Sequence, residues 1–106
     1  MANILQIHPL AYQDAREAVA WYSTISLDLA QRFSKALEAA FGRAKERPQL
    51  CAFIRRKRHT RFAKLKKFPY FLLFRWEGDL IHILGVFHSA SNPRKWSKRV
   101  TEIGPP

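Results

Sequence analysis

One cysteine, eight acidic residues and no long apolar run are found in 106 positions, and each shortage closes off a class of protein. Cys51 has no second thiol to pair with, so an internal disulfide framework is excluded. The longest apolar candidate is broken by Arg75 to Asp79 and falls short of the roughly 18 to 20 residues that cross a bilayer. Met1 to Pro9 has neither a basic start nor an apolar core of signal-peptide length, so a cytoplasmic protein without membrane contact is expected. Repeats, low-complexity tracts and linkers are also missing. The expectation is a single domain over residues 1–103 with Gly104, Pro105 and Pro106 as a flexible tail.

Positive charge is what the chain has in excess. Nineteen Lys and Arg stand against eight Asp and Glu, a formal net charge of +11, which calls for a polyanionic partner or an acidic protein that covers it. The charge is concentrated. Arg55, Arg56, Lys57, Arg58, Arg61, Lys64, Lys66 and Lys67 place eight cations within residues 55–67 with no acid among them. Such a run can hold a phosphate backbone, positioning RNA or DNA without reading its sequence. The plainer alternative is a solvated edge strand kept unpaired by its charge.

Hydrophobic periodicity divides the chain in two. Residues 3–8 alternate and stop at Pro9, which predicts a short strand at a sheet edge. From Leu10 to Ser23, Ala11, Ala15, Ala18, Val19 and Tyr22 recur at helical spacing, leaving Asp14, Arg16 and Glu17 off that face. Ser26 is placed to cap a second helix, with Asp28 in its first turn, where the helix dipole favours an anion. Its stripe runs through Leu29, Phe33, Leu37, Ala40 and Ala44, and Pro48 ends it near Arg47, so the two helices form a hairpin.

Beyond Pro48 the period changes to two, and aromatic and β-branched residues accumulate, as in a sheet. Gly78-Asp79 suits a two-residue turn, which pairs residues whose numbers sum to 157. That register puts Trp76 with Ile81, Phe74 with Ile83, Leu72 with Gly85 and Tyr70 with Phe87 on the face that meets the helices. Arg75 with His82, Leu73 with Leu84, Phe71 with Val86, and His88 then share the other face. The fold class expected is α+β: a helix hairpin on one face of a twisted antiparallel sheet of about four strands, with a short helix near residues 94–101.

Candidate chemistry follows from the polar face. Cleaving RNA through its 2′-hydroxyl needs a base, cations around the phosphate and an acid for the leaving oxygen, roles that Arg61, Arg75 and His88 could fill. Their convergence on one concave face would favour a nuclease, and their separation a binding protein. Cys51, His82 and His88 lack the paired spacing of zinc ligands, so no metal and no cofactor is expected. Trp96 between Arg94, Lys95 and Arg99 is suited to stacking on a target or to pinning a C-terminal helix. Trp21 and Tyr22 are assigned to the core.

The order strand, two helices, antiparallel sheet resembles the RelE/ParE superfamily of toxins, and four local signals carry the resemblance. These are Val19-Ala20-Trp21-Tyr22 at the end of the first helix, the Leu29, Phe33 and Leu37 spacing closed by Pro48, Phe68-Pro69-Tyr70 leading into a hydrophobic strand, and His88 followed by Asn92-Pro93-Arg94-Lys95-Trp96 and Arg99. The resemblance implies a type II toxin silenced by a cognate acidic antitoxin in a hetero-oligomer. Its target would be DNA gyrase, as in the ParE branch, or mRNA on the ribosome, as in the RelE branch; a nucleic-acid-binding module without toxicity is a third reading. Target contacts would fall on Arg55 to Arg58, Lys64, Lys66, Lys67, Arg94, Lys95, Trp96 and Arg99, with Arg61, Arg75 and His88 catalytic only in a metal-independent ribonuclease. Ser89-Ala90-Ser91 stands where the family pattern has arginines, and no tyrosine follows His88 to serve as an acid, which tilts the reading toward ParE.

Overall fold

A computed structural model describes residues 3–54, 57 and 59–104. Arg55, Arg56, Arg58, Pro105 and Pro106 lie outside the described residues, so the expectations placed on them, the end of the tail included, have no structural counterpart here. The chain runs β1 (Ile4–Ile7), α1 (Pro9–Ser23), α2 (Leu27–Glu46), a short 3-10 turn (Pro48–Leu50), β2 (Thr60–Lys64), β3 (Tyr70–Glu77), β4 (Leu80–His88) and α3 (Pro93–Ile103).

Local chemistry sets the helix boundaries. Before α1, the His8 side chain accepts from Leu10 N at 3.1 Å, and Pro9 occupies the first turn, where its missing N–H costs nothing. The Ser26 hydroxyl accepts from Leu29 N at 2.9 Å, capping α2 as expected. Asn92 caps α3 through Arg94 N at 3.0 Å, with Pro93 behind it and Gly104 ending the helix at φ +85°.

The sheet is mixed rather than wholly antiparallel. Its strand order is β1-β4-β3-β2, and β1 runs parallel to β4 from Ile4 opposite Leu80 to Ile7 opposite Ile83. No tight turn joins β1 to another strand; the helix hairpin intervenes, so nothing forces the antiparallel direction that a short turn imposes.

The β3–β4 hairpin keeps the expected register only near its turn. Glu77 opposite Leu80, Trp76 opposite Ile81, Arg75 opposite His82 and Phe74 opposite Ile83 all sum to 157, and Gly78 adopts φ +59°, the glycine-first pattern of a tight hairpin. Then a bulge intervenes. Leu73 faces Gly85, Leu72 faces Val86, Phe71 faces Phe87 and Tyr70 faces His88, so the sum becomes 158 and Leu84 is the additional residue.

The bulge reassigns the faces. Leu72, Phe74, Ile81, Ile83 and Val86 pack with Phe33, Leu37, Ala40 and Ala44 beneath the helix hairpin. Leu73, Leu84 and Phe87 pack with Ile54 and Val100 beneath α3 on the other face. Phe87 therefore leaves the helix-hairpin face on which the 157 register put it, and Val86 takes its place. Tyr22, Phe33, Phe68 and Tyr70 form an aromatic cluster that fixes the hairpin to the start of β3, with ring centroids 4.9–6.1 Å apart. Trp21, expected in the core, is instead 61% exposed, because it lies beside the stripe of Ala11, Ala18 and Tyr22 rather than on it.

Candidate functional site

Two surfaces hold most of the groups singled out by the sequence: a cleft at the outer edge of β4, and the basic edge formed by β2. The cleft exists because β1 is short. It covers β4 only as far as Ile83, so among the described residues Leu84 to His88 have a strand on one side alone. Between α1, this bare edge and α3 lies an open cleft of about 550 Å³.

A clasp crosses the edge. Asp14 of α1 accepts from Val86 N at 3.0 Å and from both Nη atoms of Arg99, at 2.8 and 3.1 Å, while Arg99 Nη1 also donates to Leu84 O at 3.0 Å. The guanidinium lies 5.0 Å from the centre of the Phe87 ring. The planar fork matches the carboxylate and reaches the backbone displaced by the bulge, a geometry that the point charge of lysine does not offer. Arg99, a candidate for target contact, is thus committed to holding α3 against α1.

His88 stands at the end of this edge, exposed, on the side of the helix hairpin. Its ring meets Tyr70 edge-on with centroids 5.0 Å apart, and its Nδ1 accepts from Ala90 N at 3.0 Å. That hydrogen bond occupies Nδ1 and leaves Nε2 as the ring nitrogen available to an incoming group. Burial, and then the neighbouring Tyr22, push the Tyr70 hydroxyl above its ordinary pKa and keep it protonated. Lys95 and Lys98 line the same cleft, and Trp21 forms part of its wall. No tyrosine follows His88 in sequence, but Tyr70 stands beside it across the strands. Its pairing with His88 follows only from the 158 register.

Arg75 lies on the opposite face of the sheet, 4% exposed, and donates to Val100 O of α3 at 3.2 Å. Its Nε has no hydrogen-bond partner among the described residues, and burial lowers its pKa, partly offset by Glu77. The expectation that Arg75 and His88 share a face is overturned by the bulge.

Arg61 is on the helix-hairpin face but far from His88. It sits opposite Phe74 on one flank of β3, whereas His88 sits opposite Tyr70 on the other flank. Four residues along a strand and two strand spacings separate them, about 13 Å by about 10 Å. Arg61 Nη1 donates to Cys51 O at 2.7 Å and Pro48 O at 3.3 Å, and its guanidinium lies 4.0 Å from the ring centre of Phe53 and 5.5 Å from that of Trp76. The three candidate catalytic side chains do not converge. Among the described residues no three His, Cys, Asp or Glu gather into a metal-binding group.

The remaining candidates among the described residues are exposed, apart from Lys57 and Trp96. Lys64, Lys66 and Lys67 are exposed along and after β2, and Lys57 is half-buried. Arg94 and Lys95 are exposed in the first turn of α3, where the positive end of the helix dipole opposes them. Trp96 packs against the Leu73, Leu84 and Phe87 cluster, so it pins α3 to the sheet.

The family model of the ParE toxin of type II toxin-antitoxin systems, parDE, matches residues 5–93. The chain belongs to the ParE toxin family. A ParE-family fold is also seen in a solved structure, that of a chromosomal ParDE toxin-antitoxin system from P. aeruginosa, with a TM-score of 0.72 and 18% identity over 82% of this chain and 96% of the other. A comparison with curated proteins finds no match. The ParE-family match ends at Pro93, so Arg94, Lys95, Trp96 and Arg99 lie beyond it. Among the described residues no helix is long and apolar enough to cross a membrane.

Proposed function

We propose that this ParE-family toxin acts in the cytoplasm by binding DNA gyrase, and that a cognate acidic antitoxin neutralises it in a hetero-oligomer. The separation of Arg61, Arg75 and His88 carries this reading. Two of the three hold backbone carbonyls, and the third stands on the face opposite Arg75 and two strands away from Arg61. A protein that breaks no bond itself needs only a binding surface. Arg94 and Lys95 offer one: exposed cations kept in the first turn of α3 against its dipole, a placement that costs about 0.3–1 kcal/mol each and makes no side-chain ion pair among the described residues. The charge of +11 complements an acidic antitoxin, which would lay an amphipathic segment along the helix hairpin and the sheet edge.

The second reading, a ribosome-dependent ribonuclease, is favoured by one observation, the Tyr70 and His88 pair in a cleft shared with Lys95 and Lys98. A single variant separates the two. His88→Ala leaves growth arrest intact under the gyrase reading, whereas loss of a group acting in the transition state lowers a cleavage rate roughly a hundredfold. The test is induction of wild type and His88→Ala at matched levels, with colony counts as the readout. Arrest abolished in the variant while the protein remains folded contradicts the proposal.

A further inference from the structure

We infer that Phe53, Arg61 and Trp76 form a stacking platform for single-stranded DNA, with the basic β2 edge as its phosphate track. The platform is a cross-strand ladder. Phe53 bridges directly to Arg61, Arg61 faces Phe74, and Trp76 follows two residues along the same face of β3. The guanidinium is fixed between the two rings by Cys51 O and Pro48 O, and the Trp76 indole is fixed in turn by donating from Nε1 to Gly78 O at 2.9 Å.

Neither ring serves the core. Phe53 is 52% exposed and Trp76 38%, both lie outside the two buried clusters, and Leu50 beside the Arg61 anchor is 71% exposed. Exposed aromatic rings held together and rimmed by polar groups mark an interaction surface. The surrounding charge selects the cover. Arg61 and Lys64 lie on β2, the strand at the sheet edge, with Lys66 and Lys67 exposed just beyond it, and the sequence from 55 to 67 carries eight cations and no acid, a charge that repels a basic partner and attracts a polyanion. Flat π-faces beside a cation and a phosphate-holding track fit unpaired bases. A duplex hides its bases from such a platform.

The choice of DNA over RNA rests on the gyrase reading. Oligonucleotide binding is measured without gyrase, so the two ideas fail separately. The experiment is fluorescence anisotropy of the purified full chain with labelled oligo(dT) of about 20 nucleotides, the matching duplex and oligo(rU), for wild type, Trp76→Ala, Trp76→Phe and Phe53→Ala. The expected result is that either alanine variant weakens oligo(dT) binding about tenfold or more, with the salt slope unchanged, duplex binding within about twofold of wild type and Trp76→Phe largely retained. Phe53→Ala decides the matter if Trp76→Ala fails to fold. Equal losses for single strand and duplex, no loss in the alanine variants, no binding of oligo(dT), or tighter binding of oligo(rU) would each overturn the inference.

Discussion

Gly85 shows how one position can fix the geometry of the cleft. A Cβ there would clash with Phe87 Cε2 and stand 2.9 Å from Arg99 Nη1, so only glycine lets Phe87 fold under the Arg99 fork. Gly85→Ala therefore forces a buried ring and a committed guanidinium apart. Overpacking of this kind costs about 1–3 kcal/mol, and in a domain this size each kcal/mol lowers Tm by roughly 4–8 °C. Calorimetry checks it, and an unchanged melting temperature contradicts the packing described. Asp14→Asn keeps the shape but removes the charge facing Arg99, whose side chain is only 14% exposed. A loss of about 1.5–3 kcal/mol is expected, and most of it should vanish when Arg99→Met is already present. Additive losses would show that the two residues act independently. Neither role was legible in the sequence. Asp14 reads as a solvent-facing helix residue and Arg99 as a target contact, because a pair 85 positions apart is joined only by the three-dimensional path of the chain.

At the scale of elements, the legible features were those with a local cause. The helix hairpin follows from its apolar stripe, the Ser26 cap and Pro48, and the β3–β4 turn follows from Gly78. The parallel β1–β4 pairing and the bulge at Leu84 have no such local signal; they depend on where β1 ends and how α3 packs. Since side-chain direction alternates along a strand, one additional residue moved His88 to the face opposite Arg75, and the candidate site came apart with it. The junction of β1, α1 and β4 offers a further test. His82 is held below its ordinary pKa, first by burial and then by His8, whose ring centroid is 5.9 Å away, and by Arg75, with Glu77 opposing. A histidine depressed in the folded state takes up its proton more readily unfolded, so its contribution is complete above about pH 6.5 and is lost as pH falls below that value. Denaturant unfolding followed from pH 8 down to pH 5 should show declining stability, and His82→Gln should flatten the decline. A variant as pH-sensitive as wild type would place the proton uptake elsewhere.

For the whole molecule, composition foretold more than any motif. An excess of eleven positive charges on 106 residues is legible at once as a demand for a polyanion or an acidic protein, whatever the fold. The ordered set of short motifs gave the family, because each marks a boundary or a packing point that the fold requires. The target is not legible in the same way: the surfaces proposed for binding on α3 and β2 use charge and exposed rings that resemble any solvated surface until the fold assembles them. The central claim is that this ParE-family chain traps gyrase and cuts no RNA. The direct measurement is a gyrase-dependent DNA cleavage assay run beside primer extension on cellular mRNA after induction, for wild type, His88→Ala and Arg94→Ala with Lys95→Ala. The account predicts cleaved DNA in trapped gyrase complexes with wild type and His88→Ala, a strong reduction in the Arg94 and Lys95 double variant, and intact mRNA throughout. Codon-spaced mRNA cuts that disappear in His88→Ala, with no trapped gyrase, would contradict it.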